Sequence, residues 1–264
     1  MRLNHRALVL GFLLVAVGVV LATTWATVES ECPVCHKKNS YNEIMSYGSY
    51  IYSWPSKFQD VYWPATDGSS LYSCKHCYLT LFMWDYRKLP SSKVDDVRRA
   101  LAHTSMDGKY QKYTEIPMSK RLEIAERVYS VLDKDDQFWA WFYRVQGYHL
   151  ALEKKPEQAS MARAKALEHT RTLLDDSANA GKRKQFLLDS AAMHHFLGDD
   201  MAAKGELSDA LKTTFEDPKL SAEQNKNVNN NLDGLIKEYL ERIDKKTVPR
   251  DDGTDKKDVP AASK

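Results

Sequence analysis

All four cysteines of the chain fall in two C-x-x-C pairs, Cys32 with Cys35 and Cys74 with Cys77, and 38 residues lie between the pairs. Any fold this chain adopts must bring the pairs together or carry two separate dithiols. A C-x-x-C turn places two sulfurs on one side of the backbone. Two such knuckles facing each other make a tetrahedral four-sulfur site with Zn–S bonds of about 2.3 Å. Pro33 stiffens the first turn, and Lys75 and His76 give the second a polar tip. The pattern therefore predicts a structural Zn2+ ion held by Cys32, Cys35, Cys74 and Cys77.

Two other chemistries use the same residues. Cys32-x-x-Cys35-His36 is also the attachment signature of haem c, with His36 as axial ligand. The second pair is followed by Tyr78 and is no such hook. Disulfides are the other alternative, because an oxidising compartment favours bridges. A bridge within one C-x-x-C closes a very small loop and is the redox-active kind. A redox protein of the thioredoxin type would need βαβ units, and none is visible.

The compartment is suggested by the first 28 residues, which predict a signal peptide or an N-terminal membrane anchor. Arg2 and Arg6 precede a run from Ala7 to Val28 that has no charged residue, and Glu29 and Glu31 follow it. As a helix, 22 residues extend about 33 Å, enough to cross a bilayer. The charge order directs the rest of the chain out of the cytoplasm, in the cell envelope. Ala22 and Ala26 are candidate cleavage positions; uncleaved, residues 7–28 are the membrane contact.

Past the cysteines the chain reads as mainly α. Residues 31–90 form the cysteine module, 91–118 a connector, 119–243 a helical domain and 244–264 a charged, disordered tail. Within the helical domain Gly147, Ala159, Ala166 and Leu167 correspond to Ala191, Ala203, Ala210 and Leu211 at a constant offset of 44. Small residues at this spacing let two antiparallel helices approach closely and the next pair stack on them, a pattern like that of tetratricopeptide (TPR) repeats. Ser221-Ala-Glu-Gln224 is a capping box that opens a closing helix. The predicted fold is thus a TPR-like stack of antiparallel helix pairs behind a small β-containing, zinc-ribbon-like module.

Eight aromatic residues lie between Tyr41 and Trp63, among them Tyr47, Tyr50, Trp54 and Phe58. They predict rings packed against the helices in a module short of aliphatic core. His194 and His195 are adjacent and point apart on a helix, so they form no chelate. His194 is expected towards the core and His195 on the open face.

The segments "CPVC" (32–35), "LYSCKHCYLTLFMWDY" (71–86) and "FWAWFYRVQGYHLALE" (138–153) together resemble a bacterial family of unknown function. Its members carry an N-terminal CPxC…CxxC zinc-ribbon-like module followed by TPR-like helices. The likeness would cover about residues 31–215. The chain departs from it in the N-terminal apolar segment and at His36, where knuckles usually have Gly. The resemblance implies an architecture and no reaction.

Lys and Arg number 38 against 36 Asp and Glu, with no basic stripe, so nucleic acid is not expected. Catalytic motifs are absent as well: no phosphate loop, no Gly-x-Ser-x-Gly and no His-Glu-x-x-His occurs. The sequence thus predicts a non-enzymatic module that binds a protein or peptide in a helical groove, with Arg144, Tyr148 and His195 towards that groove.

Overall fold

The computed structural model describes residues 24–48, 52, 54–105 and 108–248. The apolar run up to residue 23, Tyr50 and the tail from residue 249 lie outside the described residues. The end of the apolar run does have a place. Thr24–Glu31 is a β-strand, β1, paired antiparallel with β2, Lys38–Ser46. Residues 24–30, ahead of the expected module boundary at 31, are thus paired with the cysteine hairpin. Among the described residues no helix is long and apolar enough to cross a membrane.

A second antiparallel hairpin joins β3, Leu71–Ser73, to β4, Thr80–Phe82. Asp67 precedes it. Its carboxylate accepts from Ser69 N and caps a short 3-10 turn, Gly68–Ser70. Four buried tyrosines stand where aliphatic residues fill most cores. Tyr41 stacks on Tyr72 at 4.4 Å between ring centres, and Tyr86 and Tyr113 meet it at 5.0 and 5.2 Å. Rings bury large areas with few side chains, which suits a module of two short hairpins.

The connector carries α1, Val94–Leu101. Helix α2, Met118–Tyr129, then fastens the module to the stack. Arg121 is buried and donates to the carbonyls of Gly68, Leu71 and Ile116. Tyr129 accepts from Phe82 N and donates to Asp85.

Helices α3 (Asp136–Leu152) and α4 (Pro156–Asp175) form one hairpin pair, and α5 (Arg183–Phe196) and α6 (Asp200–Leu211) the next. Their starts are set by local residues. Asp135 and Asp199 cap α3 and α6, and Pro156 occupies the first turn of α4. The small residues of the 44-residue repeat are fully buried where the helices meet: Ala159, Ala166, Ala191, Ala203 and Ala210. At Gly147 a Cβ would lie 2.9 Å from Arg163 Cγ. A glycine is needed there because the buried Arg163 side chain lies across α3. Helix α7, Ala222–Asp244, opens with the predicted Ser221/Gln224 capping box and closes the stack.

Residues 54–65 lie across the stack on the side formed by α3, α5 and α7. Phe58 is buried against Phe196 at 5.9 Å and Tyr239 at 4.4 Å between ring centres, and Trp54 meets Tyr239 at 4.8 Å. Gln59 accepts from Arg163 Nε at 3.2 Å, and Ala65 O lies 2.7 Å from His149 Nε2. Tyr239 donates to Lys57 O, and Lys57 pairs with Glu238. Both Trp-Pro bonds of this region, Trp54-Pro55 and Trp63-Pro64, are cis. Module and stack share one continuous apolar core, from Cys32 to Val248.

Candidate metal centre

The two hairpins are built alike. Each strand pair closes on a six-residue turn: Glu31 pairs with Lys38, and Ser73 with Thr80. In the first turn Cys32 N donates to Lys37 O and His36 N to Cys32 O. In the second Cys74 N donates to Leu79 O and Tyr78 N to Cys74 O. The residue after each second cysteine turns left-handed, His36 at φ 59° and Tyr78 at φ 62°. His36 is therefore the closing residue of a knuckle, in the position Tyr78 holds in the other. Its side chain is exposed, with Nδ1 3.0 Å from Glu31.

The knuckles face each other. Cys32 Sγ lies 3.5 Å from Cys77 Sγ, and Cys35 Sγ lies 3.6 Å from Cys74 Sγ. All four sulfurs fall within 4.8 Å of one another. A tetrahedron with metal–sulfur bonds of about 2.3 Å has edges of about 3.8 Å, so the four thiols match the outline of a metal site. Both of these contacts join opposite knuckles. A haem hook needs both thiols of one pair free to bond a porphyrin, whereas here each thiol of the first pair lies against one of the second.

Asn39 was not expected at this site. It is buried, donates to Cys74 Sγ at 3.4 Å and to Lys37 O at 2.9 Å, and accepts from Lys75 N at 3.0 Å. One amide thus ties the sulfur of one knuckle to the backbone of both. His76 N also points at Cys74 Sγ, at 3.4 Å. N–H donors to sulfur favour the thiolate that a metal requires. The available signal is a polar residue on the inward face of β2, between Cys35 and the buried Tyr41.

The protonation pattern fits a cation site. Hydrogen bonds from Cys74 and then Cys77 hold the Cys32 thiol far below its ordinary range. The bond to Cys32 pushes Cys74 up to about 11, and Cys77 is pushed higher still, first by Cys32 and then by Cys74. One thiolate is stabilised by its neighbours' protons, and each further ionisation meets its charge. A divalent cation would remove that repulsion.

The three residues predicted to face a helical groove are buried: Arg144, Tyr148 and His195. His195 is not on an open face. It lies under Phe58 at 5.5 Å between rings, with Nδ1 2.7 Å from Asp200. Arg144 pairs with Asp189 and lies 3.7 Å from Asp60. The helix periodicity identifies an inward face, and residues 54–65 cover it at His149 and His195. Of the expected aromatic packing, Trp54 and Phe58 take part, while Tyr47 is 75% exposed. No family model, curated protein or solved structure matches this chain.

Proposed function

We propose that the chain is a non-catalytic interaction module whose four cysteines hold one structural zinc ion and whose helical stack receives a protein or peptide. The carrying observation is the meeting of the two knuckles sulfur to sulfur, at 3.5 and 3.6 Å. Zinc suits an all-sulfur tetrahedral set because it has no preferred geometry of its own and takes no part in redox chemistry. Two strands from each side would then be clamped at one point, which positions residues 54–65 against the stack.

The charge order of the N-terminus supports a place outside the cytoplasm. With Thr24–Val28 in β1, the run left for a membrane segment is residues 7–23, about 26 Å as a helix and at the short end of what spans a bilayer. Cleavage after Ala22 would leave β1 whole, whereas cleavage after Ala26 would cut it.

Metal analysis of the purified protein, with cysteine state read by mass spectrometry, tests the proposal. One zinc per chain with four reduced cysteines is the expected result. A Soret band would overturn it, and so would two disulfides with no metal. The specific alternative is a dithiol carrier bridging across the knuckles, Cys32 to Cys77 and Cys35 to Cys74. Those sulfurs lie 3.5 and 3.6 Å apart, and a bridge needs them to approach to about 2.05 Å.

A further inference from the structure

Residues 54–65 cover only part of the stack. They meet α3 from Arg144 to His149 and α5 at His195 and Phe196, and the starts of both helices lie beyond these contacts. There a cavity of about 500 Å³ opens between α3, α5 and the end of α4. Its apolar wall includes Phe138, Trp141 and Phe186, and its polar floor is Arg144, Asp189 and Asp60.

The floor is unusual in two ways. Asp189 and Arg144 are each at least nine-tenths buried, and their paired side chains leave atoms over: Arg144 Nε and Asp189 Oδ1 have no hydrogen-bond partner among the described residues. Buried charged atoms without partners are costly and rare, and their occurrence in a cleft points to a ligand. Two carboxylates also face a single guanidinium, so the floor carries excess negative charge. The aromatic wall adds to the attraction for a cation.

From these features we infer that the open half of the stack binds the free amino terminus of a peptide whose first residue is apolar. An α-ammonium and its own carbonyl are a donor and an acceptor on one residue, and Asp189 and Arg144, paired through other atoms, have one acceptor and one donor left over. The ammonium would meet Asp189 Oδ1 and Asp60, the first carbonyl would accept from Arg144 Nε, and the first side chain would lie on Phe138, Trp141 and Phe186. A lysine side chain fits less well, because its ammonium is far from any carbonyl of its own residue. Burial pushes the Asp189 carboxyl up to about 7, against the pull of Arg144 and with repulsion from Asp60. The hydroxyls of Tyr62 and Tyr239, which also feel Asp189, stay protonated because burial raises them above their ordinary range. Binding should therefore be strongest between about pH 7 and pH 8, where Asp189 is ionised and an α-amine is still protonated.

This deepens the reading of the stack as an interaction module, and its test is separate from the metal analysis. The full chain is titrated with Leu-Ala-Ala-amide, its N-acetylated form and free leucine, following the indole N–H resonance of Trp141 and the heat of binding. The free-amine peptide should move Trp141, and the acetylated peptide should bind at least about tenfold more weakly. Asp60→Asn should weaken binding severalfold with the fold intact, because Asn tolerates the left-handed backbone at residue 60, φ 53°. Equal affinity for the acetylated peptide would overturn the inference, as would no response of Trp141 up to about 10 mM peptide. Free leucine binding as tightly as the peptide would overturn the choice of a peptide. A metal-free protein that still binds the free-amine peptide would fail the zinc reading alone.

Discussion

The cysteine module and the helical stack are held by opposite means. The stack spreads its stability over many small contacts: alanines at 44-residue spacing, capped helix starts and a long apolar seam. The module is built around four sulfurs, one asparagine and a cluster of tyrosines. A periodic pattern tolerates the loss of any one contact, since neighbouring helices still bury their faces. A clamp does not, because its strands are short and few other contacts replace it. Residues 54–65 join the two regimes, and through them the module sets how much of the stack is open.

Removing the clamp is the most severe way to probe that contrast. Structural zinc sites are worth on the order of 10 kcal/mol in small domains. Chelation or Cys74→Ser should abolish the near-ultraviolet signal of the tyrosine cluster while far-ultraviolet helicity largely persists. Simultaneous loss of both signals would show that module and stack do not differ in this way.

Phe58→Ala tests the join. It removes a buried ring from between Phe196 and Tyr239 and should cost about 3–5 kcal/mol in denaturant unfolding. A loss below about 1 kcal/mol would mean that the stack does not depend on its cover.

The pH dependence follows from His149, which burial pushes down to about 4 from an ordinary 6.5. The folded protein resists protonating this ring, which is hydrogen-bonded to Ala65 O. Stability attached to it is therefore intact above pH 6.5 and is lost as pH falls towards 4, by an amount on the order of 3 kcal/mol. Stability curves of the wild type and His149→Gln should diverge over that interval. The opposing share of Asp189, lost as pH rises towards 7, is present in both proteins and cancels. Parallel curves would refute the buried, neutral state of His149.

The finest test compares two glycines inside the stack. A methyl at Gly205 meets nothing within 4 Å, and Gly205→Ala should stabilise by about 0.5–1 kcal/mol. A methyl at Gly147 meets Arg163 at 2.9 Å, and Gly147→Ala should instead destabilise by about 1–2 kcal/mol despite the better helix propensity. Equal gains at both would show that the helices of the first pair are not packed as closely as their small residues imply.

Much of this was legible in the chain alone, for identifiable reasons. The capping residues Asp135, Asp199 and Ser221 act within a few residues of themselves, so local pattern suffices. The 44-residue repeat records close helix packing because only small residues permit it. The four cysteines paired correctly because the chain offers no others. Asn39 was missed because its partners, Lys75 and Cys74, are remote in sequence and a lone Asn in a strand carries no signal of them. The position of His195 was misjudged for a related reason: helix periodicity shows which face points inward and not what lies on it.

The sequence by itself thus determined the helix pairs, their starts and the set of four thiols, all of which follow from local periodicity or from composition. Only the tertiary structure decided that β1 takes the end of the apolar run, that His36 and Tyr78 close matching turns, and that residues 54–65 cover half of the stack. It alone set Arg144 and Asp189 together at the floor of the uncovered half. Each of these rests on contacts between residues far apart in the chain, whose free energy depends on what each side chain meets once both regions have folded.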